Sequence, residues 1–311
     1  MSAVQGIVIE GTGGVWQVRT GDGTQRPAAL AGRLKQEERD FVKLAVGDHV
    51  SIEPEERGQG WRITAIGPRR GVLARREPGG RYGERVLAAN VDQCCVVFSV
   101  ANPEPHVRMI DRFLVVCEAN DLEPHLVLNK VDLAVDPALV DALAAPYEQA
   151  GYPVHRTSVK RGIGLDELRA VLHGKVTAVA GPSGVGKSSL LNTLHPGVAL
   201  RIGEISQSVN KGRHTTVGAK LIPLPDGDDG YLVDTPGLRE IAMWGLPAES
   251  LDQCFREFRP YLGECRFQDC HHEVEPQCAV RDAVESGAVN RGRYESYLKL
   301  YAELRATERP R

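Results

Sequence analysis

Residues 181–188 read G-P-S-G-V-G-K-S, between the apolar run KVTAVA and the helix-like run SSLLNTLH. A strand, a glycine-rich turn of this spacing and a helix together make a phosphate-binding loop. The glycines let the backbone curl with its N–H groups facing inward, and the helix adds its positive end. On this reading Gly181, Pro182, Ser183, Gly184, Val185, Gly186, Lys187, Ser188 and Ser189 surround a phosphate chain. Lys187 reaches the β- and γ-phosphates, and Ser188 ligates Mg²⁺. The competing reading is a plain glycine-rich turn, which the complete pattern in its proper context disfavours. Further on, Asp234 opens D-T-P-G at the end of an apolar run. A carboxylate there holds Mg²⁺, usually through water, and Gly237 offers an N–H where the γ-phosphate would sit. Between these motifs lies KGRHTTVG, in which Thr215 or Thr216 brings a hydroxyl and a carbonyl to Mg²⁺ and the γ-phosphate. Such loops order when that phosphate is present. Spacing does not choose between the two threonines.

A second constellation is N-K-V-D, formed by Asn129, Lys130, Val131 and Asp132 after the apolar run HLVL. Asp132 can accept hydrogen bonds from the N1–H and the exocyclic amine of guanine. Adenine lacks that pair of donors, so a site built this way rejects it strongly. Asn129 addresses the other edge, and the stem of Lys130 covers the base. Ser158, in TSVK at the next strand end, adds a weaker signal: a hydroxyl and backbone N–H groups for the base. A base-reading loop normally follows the phosphate loop, whereas here it comes first. The order points to a circularly permuted nucleotide-binding domain, since strand-end loops converge on one sheet edge whatever their order along the chain. One consequence is that DTPG leads directly into the C-terminal part, so nucleotide state is expected to be transmitted there.

The third constellation is ECRFQDCHHEVEPQC, with Cys265, Cys270, Cys278 and two histidines, His271 and His272. Three thiolates and one imidazole close a tetrahedral zinc shell, which leaves no place for water and so reads as structural. Spacing leaves both histidines open. Cys254 reads as a helix-face thiol and Cys94, Cys95 and Cys117 as core.

These motifs need elements to carry them. Residues 1–68 hold short strand-like runs (QGIVIE, VWQVRT, DHVSIE, WRITAIG) punctuated by glycine-rich turns, the pattern of a small barrel of the OB type. Residues 69–85 are rich in arginine, glycine and proline and read as a basic linker, with Arg69, Arg70, Arg75 and Arg76 as candidates for phosphate contact. Residues 86–244 alternate strand-like and helix-like runs, which calls for a mostly parallel sheet covered on both faces. Residues 245–311 read as a helical zinc-binding domain. There Phe255, Phe258 and Leu262 share one helical face and Tyr294, Tyr297, Leu298, Tyr301 and Leu304 another, both expected to be core.

Composition narrows the partners. The formal charge of −3 over 311 residues provides no global basic field, so nucleic-acid contact must rest on local patches. Apolar runs such as CCVVFSV are far too short to span a bilayer, and residues 1–10 lack the pattern of an export signal. Seven cysteines without such a signal read as reduced thiols and a metal site, with the cytoplasm as default address.

Taken together, these residues resemble the RsgA (YjeQ or EngC) family of GTPases that depend on the small ribosomal subunit. The resemblance covers nearly the whole chain: the barrel, AANVDQ before the first strand of the GTPase part, NKVD, GPSGVGKS, GRHTT, DTPG and C-x4-C-x-H-x5-C. It implies an N-terminal OB-fold that binds RNA, a circularly permuted GTPase domain and a C-terminal zinc domain. It also implies action late in small-subunit assembly on ribosomal RNA, with GTP hydrolysed to GDP and phosphate under stimulation by the subunit. A monomer is expected. The resemblance selects His272 over His271 as zinc ligand.

Leu238 stands after DTPG, where a water-positioning glutamine often sits, and an apolar side chain cannot orient water. Intrinsic hydrolysis should therefore be slow. The resemblance makes His214 a catalytic candidate beside Lys187, Thr215 and Thr216, and ribosomal RNA or protein is the other way to complete the site. Val217 replaces a third threonine that many relatives carry, which favours Thr215 and Thr216 as the functional pair. Two other functions compete with a subunit-stimulated switch. One is an RNA-binding assembly module in which GTP mainly sets conformation, and the other is a permuted GTPase serving the large subunit.

Overall fold

The computed structural model describes residues 3–32, 34, 43–55, 60–76, 84–196, 219–225, 229–234 and 246–308. Strands β1 (Val4–Thr12), β2 (Val15–Thr20), β3 (Gln25–Leu30), β4 (His49–Pro54) and β5 (Trp61–Ile66) close a barrel in the order β1-β2-β3-β5-β4. The pairs are antiparallel except β3 with β5. Val8, Val18, Ala28, Leu44, Val50, Ile52 and Ile63 fill its interior. Strand β3 carried no strand signal because Pro27 has no N–H to donate. The barrel tolerates it because Pro27 pairs only with Gln17 of β2, and the pairing with β5 begins at Ala28.

Residues 69–85, read from sequence as a linker, differ in the structure. Strand β6 (Val72–Arg76) pairs antiparallel with β7 (Glu84–Ala89). Its short apolar core of Val72 and Leu73 was hidden among arginines and glycines. Arg69 is also committed. Its guanidinium grips the buried Asp48 carboxylate through two bonds of 2.7 Å and donates to the Lys43 carbonyl, so it is not available to phosphate.

The central sheet has six strands in the order β10-β9-β8-β11-β13-β12. They are β8 (Gln93–Ser99), β9 (Glu123–Asn129), β10 (Val154–Thr157), β11 (Val176–Ala180), β12 (Lys220–Pro223) and β13 (Tyr231–Asp234). The pairs β9/β10 and β11/β13 are parallel, and the edge strand β12 runs antiparallel to β13. Every residue of β8 is buried, as expected for a strand covered on both faces. At its start, Asp92 N donates to the Val176 carbonyl and Gln93 Nε2 to Thr177 Oγ1, which pins it beside β11. The helices are α1 (Val107–Ala119), α2 (Pro137–Gln149), α3 (Leu165–Leu172) and α4 (Lys187–Leu194). Helix α2 begins where Asp136 caps the Ala138 N–H and Pro137 occupies the first turn. Among the described residues no helix is long and apolar enough to cross a membrane.

The chain packs as two compact units. One is built around the barrel with β11, β12 and β13, the other around β9, β10 and the C-terminal helices. In the second unit, α5 (Ala279–Glu285) and α6 (Arg291–Glu308) enclose Phe255, Phe258, Tyr297 and Leu300, together with Val115 of α1. The aromatic clusters are core, as expected. The segment Arg256–Tyr261, however, is a 3₁₀ turn and not an α-helix, since Pro260 cannot sustain α-helical hydrogen bonding.

One buried guanidinium ties this C-terminal part to α1. Arg293, 1% exposed, donates to Asp111 Oδ1 at 2.6 Å and to Glu257 Oε1 at 2.7 Å. The ring of Phe255 lies 4.7 Å from it. Around this joint, Arg256 and Arg259 both bond Glu118 of α1, and Arg112 bonds Glu303 of α6. Replacing Arg293 would strand two buried carboxylates. Arg293→Met is expected to cost about 3–5 kcal/mol, read as a lower melting temperature and faster amide exchange along α1 and α6. An unchanged melting temperature would show that the joint contributes nothing.

Candidate functional site

The phosphate-loop sequence turns between β11 and α4, and two of its glycines are required by what they approach. Gly181 has φ +136°, and a Cβ there would lie 2.1 Å from the Val97 carbonyl oxygen. Gly186 has φ +96°, and a Cβ there would lie 2.5 Å from Asn129 Nδ2. Both conformations favour glycine. Val185 is buried beneath the turn, while Ser183 and Gly184 are exposed above it and Pro182 is half-buried. Lys187 Nζ donates to the carbonyls of Gly181 at 2.6 Å and Pro182 at 2.5 Å, curling back over the loop. Ser188 and Ser189 are exposed on the first turn of α4.

The base-loop sequence is joined to this turn. Asn129, at the end of β9 and 2% exposed, donates from Nδ2 to the Val185 carbonyl at 2.9 Å. Its Oδ1 accepts from Thr157 Oγ1 of β10 at 3.1 Å. Asn129, expected to address the base, is through these bonds also a joint between three strand-end segments. Lys130 takes φ +61°, and its Nζ donates to the Gly184 carbonyl at 2.7 Å and to the Asn102 carbonyl. Val131 and Asp132 lie in a 3₁₀ turn, Val131–Leu133. The Ser158 hydroxyl donates to Asp132 Oδ1 at 2.5 Å and accepts from the Arg161 N–H at 3.1 Å. The Ser158 N–H is already bonded to the Ile163 carbonyl, so this buried serine holds Asp132 from behind. Sequence reasoning missed Thr157, although it stands in the quoted TSVK, and the Asn102 carbonyl, which no side-chain pattern reports. Asp234 ends β13, paired with Lys220. His214, Thr215, Thr216, Gly237 and Leu238 lie outside the described residues.

The cysteine/histidine cluster is assembled. The donor atoms of Cys265, Cys270, His272 and Cys278 all lie within 4.8 Å of one another. Cys265 Sγ is 3.8 Å from Cys278 Sγ and 3.6 Å from His272 Nδ1. A tetrahedral ion with metal–sulfur bonds of about 2.3 Å spaces its sulfurs about 3.8 Å apart, so the donors fit one zinc-sized ion. Burial opposes ionisation of Cys265, but the N–H groups of Ala279 and Val280 and the neighbouring thiols outweigh it and hold its pKa below the ordinary value. Burial pushes Cys270 up to about 12 and also raises Cys278. All three can be thiolates at once only with a cation among them. His271 is outside the cluster, its ring packed 5.3 Å from that of Tyr301. The loop is held from α6, where Tyr294 donates to the His272 carbonyl at 2.6 Å and Tyr297 to the His271 carbonyl at 2.9 Å.

The sheet, the glycine-rich turn into α4 and the early base loop define a P-loop GTPase fold with permuted motif order. Residues 66–244 match the RsgA GTPase family model. The small ribosomal subunit biogenesis GTPase RsgA of Gemmatimonas aurantiaca is 55% identical over 304 residues, covering 97% of this chain and 98% of that relative. Crystallised YjeQ from Thermotoga maritima is similar with a TM-score of 0.80 at 35% identity, covering 99% of this chain and 100% of its own. YloQ, a circularly permuted GTPase, is similar with a TM-score of 0.77 at 28% identity, covering 100% and 97%. The chain belongs to the RsgA GTPase family and is a GTP hydrolase.

Adding one methyl group at Gly186 would press on the joint at Asn129 and force a left-handed backbone on alanine. Gly186→Ala is expected to weaken GDP binding by roughly 100-fold while the far-UV circular dichroism spectrum is kept. Wild-type affinity, measured by calorimetric titration, would show that the two loops need not meet.

Proposed function

We propose that this GTPase binds the small ribosomal subunit and acts late in its maturation, hydrolysing GTP with stimulation by the subunit. The observation that carries this reading is likeness along almost the full chain to a small-subunit biogenesis GTPase, covering barrel, GTPase part and metal cluster together. Asp132, steadied by Ser158, reads guanine, and Lys130 covers the base. The backbone of residues 181–186 cradles the phosphates. Lys187 leaves its two carbonyls to neutralise charge on the β- and γ-phosphates as water attacks phosphorus and the bond to the β-phosphate oxygen breaks. Ser188 and Asp234 would hold Mg²⁺, which would supply positive charge against the charge that develops on the phosphates. Thr215 and Thr216 form the nucleotide-sensing switch.

Leu238 leaves the attacking water without an orienting partner in the DTPG segment. His214 or a ribosomal group supplies it, and this is why turnover waits for the subunit. The four donors of the cysteine/histidine cluster hold one structural zinc ion. The barrel supplies an RNA-binding surface, with Arg69 excluded by its bond to Asp48. The protein works as a cytoplasmic monomer.

The test is GTP turnover by purified protein, alone and with isolated small or large ribosomal subunits. Low intrinsic turnover with strong stimulation by small subunits only is expected, together with one zinc per chain by elemental analysis. His214→Ala separates the two sources of the missing group, since it abolishes stimulated turnover only if His214 is that source. Fast turnover without ribosomes, or stimulation by large subunits, would overturn the assignment. Stable binding to small subunits with no stimulation would favour an RNA-binding module that uses GTP only to set its shape.

A further inference from the structure

Lys130 is held by two carbonyls, and only the one on Gly184 belongs to a recognisable motif. The other is that of Asn102, in the loop that follows β8. The loop is fixed from several sides. Ser99, fully buried, donates its hydroxyl to the Pro103 carbonyl at 2.7 Å and closes the loop on itself. The Val100 N–H donates to the Asn129 carbonyl at 3.0 Å, tying the loop to the end of β9. Across the gap, a Cβ on Gly184 would stand 3.6 Å from Pro103 Cδ, so the loop lies alongside the phosphate-loop turn. Asn102 itself has φ +48°, a conformation that asparagine tolerates better than most residues.

We propose that Ser99 is a positioning residue for guanine-nucleotide binding: by closing residues 99–103 it presents the Asn102 carbonyl that fixes Lys130. This rests on the reading that the stem of Lys130 covers the base. A lysine side chain has many rotamers, and ordering it when nucleotide arrives would cost affinity. Two carbonyls hold the ammonium, which limits the rotamers open to the methylene stem before nucleotide arrives. Ser99 is fully buried, its hydroxyl spent on the Pro103 carbonyl, and acts only through Lys130.

A double-mutant cycle tests this on the full-length protein, with GDP affinity read by calorimetry and KM and kcat by GTP turnover. Ser99→Ala is expected to weaken GDP binding about fivefold, raising KM for GTP with kcat unchanged. Lys130→Met should weaken binding more, and adding Ser99→Ala to Lys130→Met should change nothing further. If Ser99→Ala is silent, or costs the same in both backgrounds, Ser99 does not act through Lys130 and the proposal is overturned. If Lys130→Met leaves affinity intact, the base-covering reading fails and the proposal falls with it. A melting curve checks each variant. Should the alanine variant fail to fold, Ser99→Cys, close in volume and a weaker donor, is expected to give the same non-additivity.

Discussion

The nucleotide site depends on one buried amide. Asn129 ends β9, donates into the phosphate-loop turn at Val185 and accepts from Thr157 at the end of β10. A primary amide can do both at once, and a carboxylate of the same shape cannot, because it has no donor. Gly186 is glycine because the Asn129 amide occupies the space a Cβ would need. Permutation moved the base loop to the N-terminal side of the phosphate loop. The amide keeps the two in register by direct contact, which makes chain order irrelevant to assembly of the site.

A second constraint concerns the C-terminal part. The order of motifs suggested that DTPG passes nucleotide state straight into that part. Residues 235–245, which join the two, lie outside the described residues; among the described residues the C-terminal part is fastened to α1, through Arg293 to Asp111 and through Arg256 and Arg259 to Glu118. Helix α1 follows the 99–103 loop that contributes a carbonyl to Lys130. The cysteine/histidine cluster, α6, α1 and the NKVD segment thus belong to one compact unit. A buried arginine facing two carboxylates is costly to open, so this joint holds the C-terminal part firmly to α1.

What could be read in advance followed from local chemistry. The phosphate loop, NKVD and the cysteine cluster each carry their reason within a few residues. The alternation of β8 to β11 with helices followed from apolar periodicity. What escaped depended on distant partners. Pro27 hid β3 because its missing N–H matters only once the neighbours of that strand are known. Arg69 was one arginine among several until Asp48 was seen to hold it. Neither spacing nor charge could separate His271 from His272. Tyr294 and Tyr297 of α6 fix both carbonyls, and the backbone at His272 turns to φ +61° with its ring facing the thiols. Asn129 was recognised as part of the site, but its role as a joint required the position of Val185.

On the proposed reading, Asp132, set beside a phosphate loop that follows it in sequence, reads guanine. The most direct measurement is the nucleobase preference of Asp132→Asn by equilibrium titration with GDP and xanthosine diphosphate. Xanthine presents a carbonyl where guanine presents its amine, so an amide donor at this position should reverse the preference. GDP affinity is expected to fall by roughly 100-fold or more, with a gain for xanthosine diphosphate. Undiminished GDP affinity in this variant would mean that the base is read elsewhere and that NKVD is not the guanine loop.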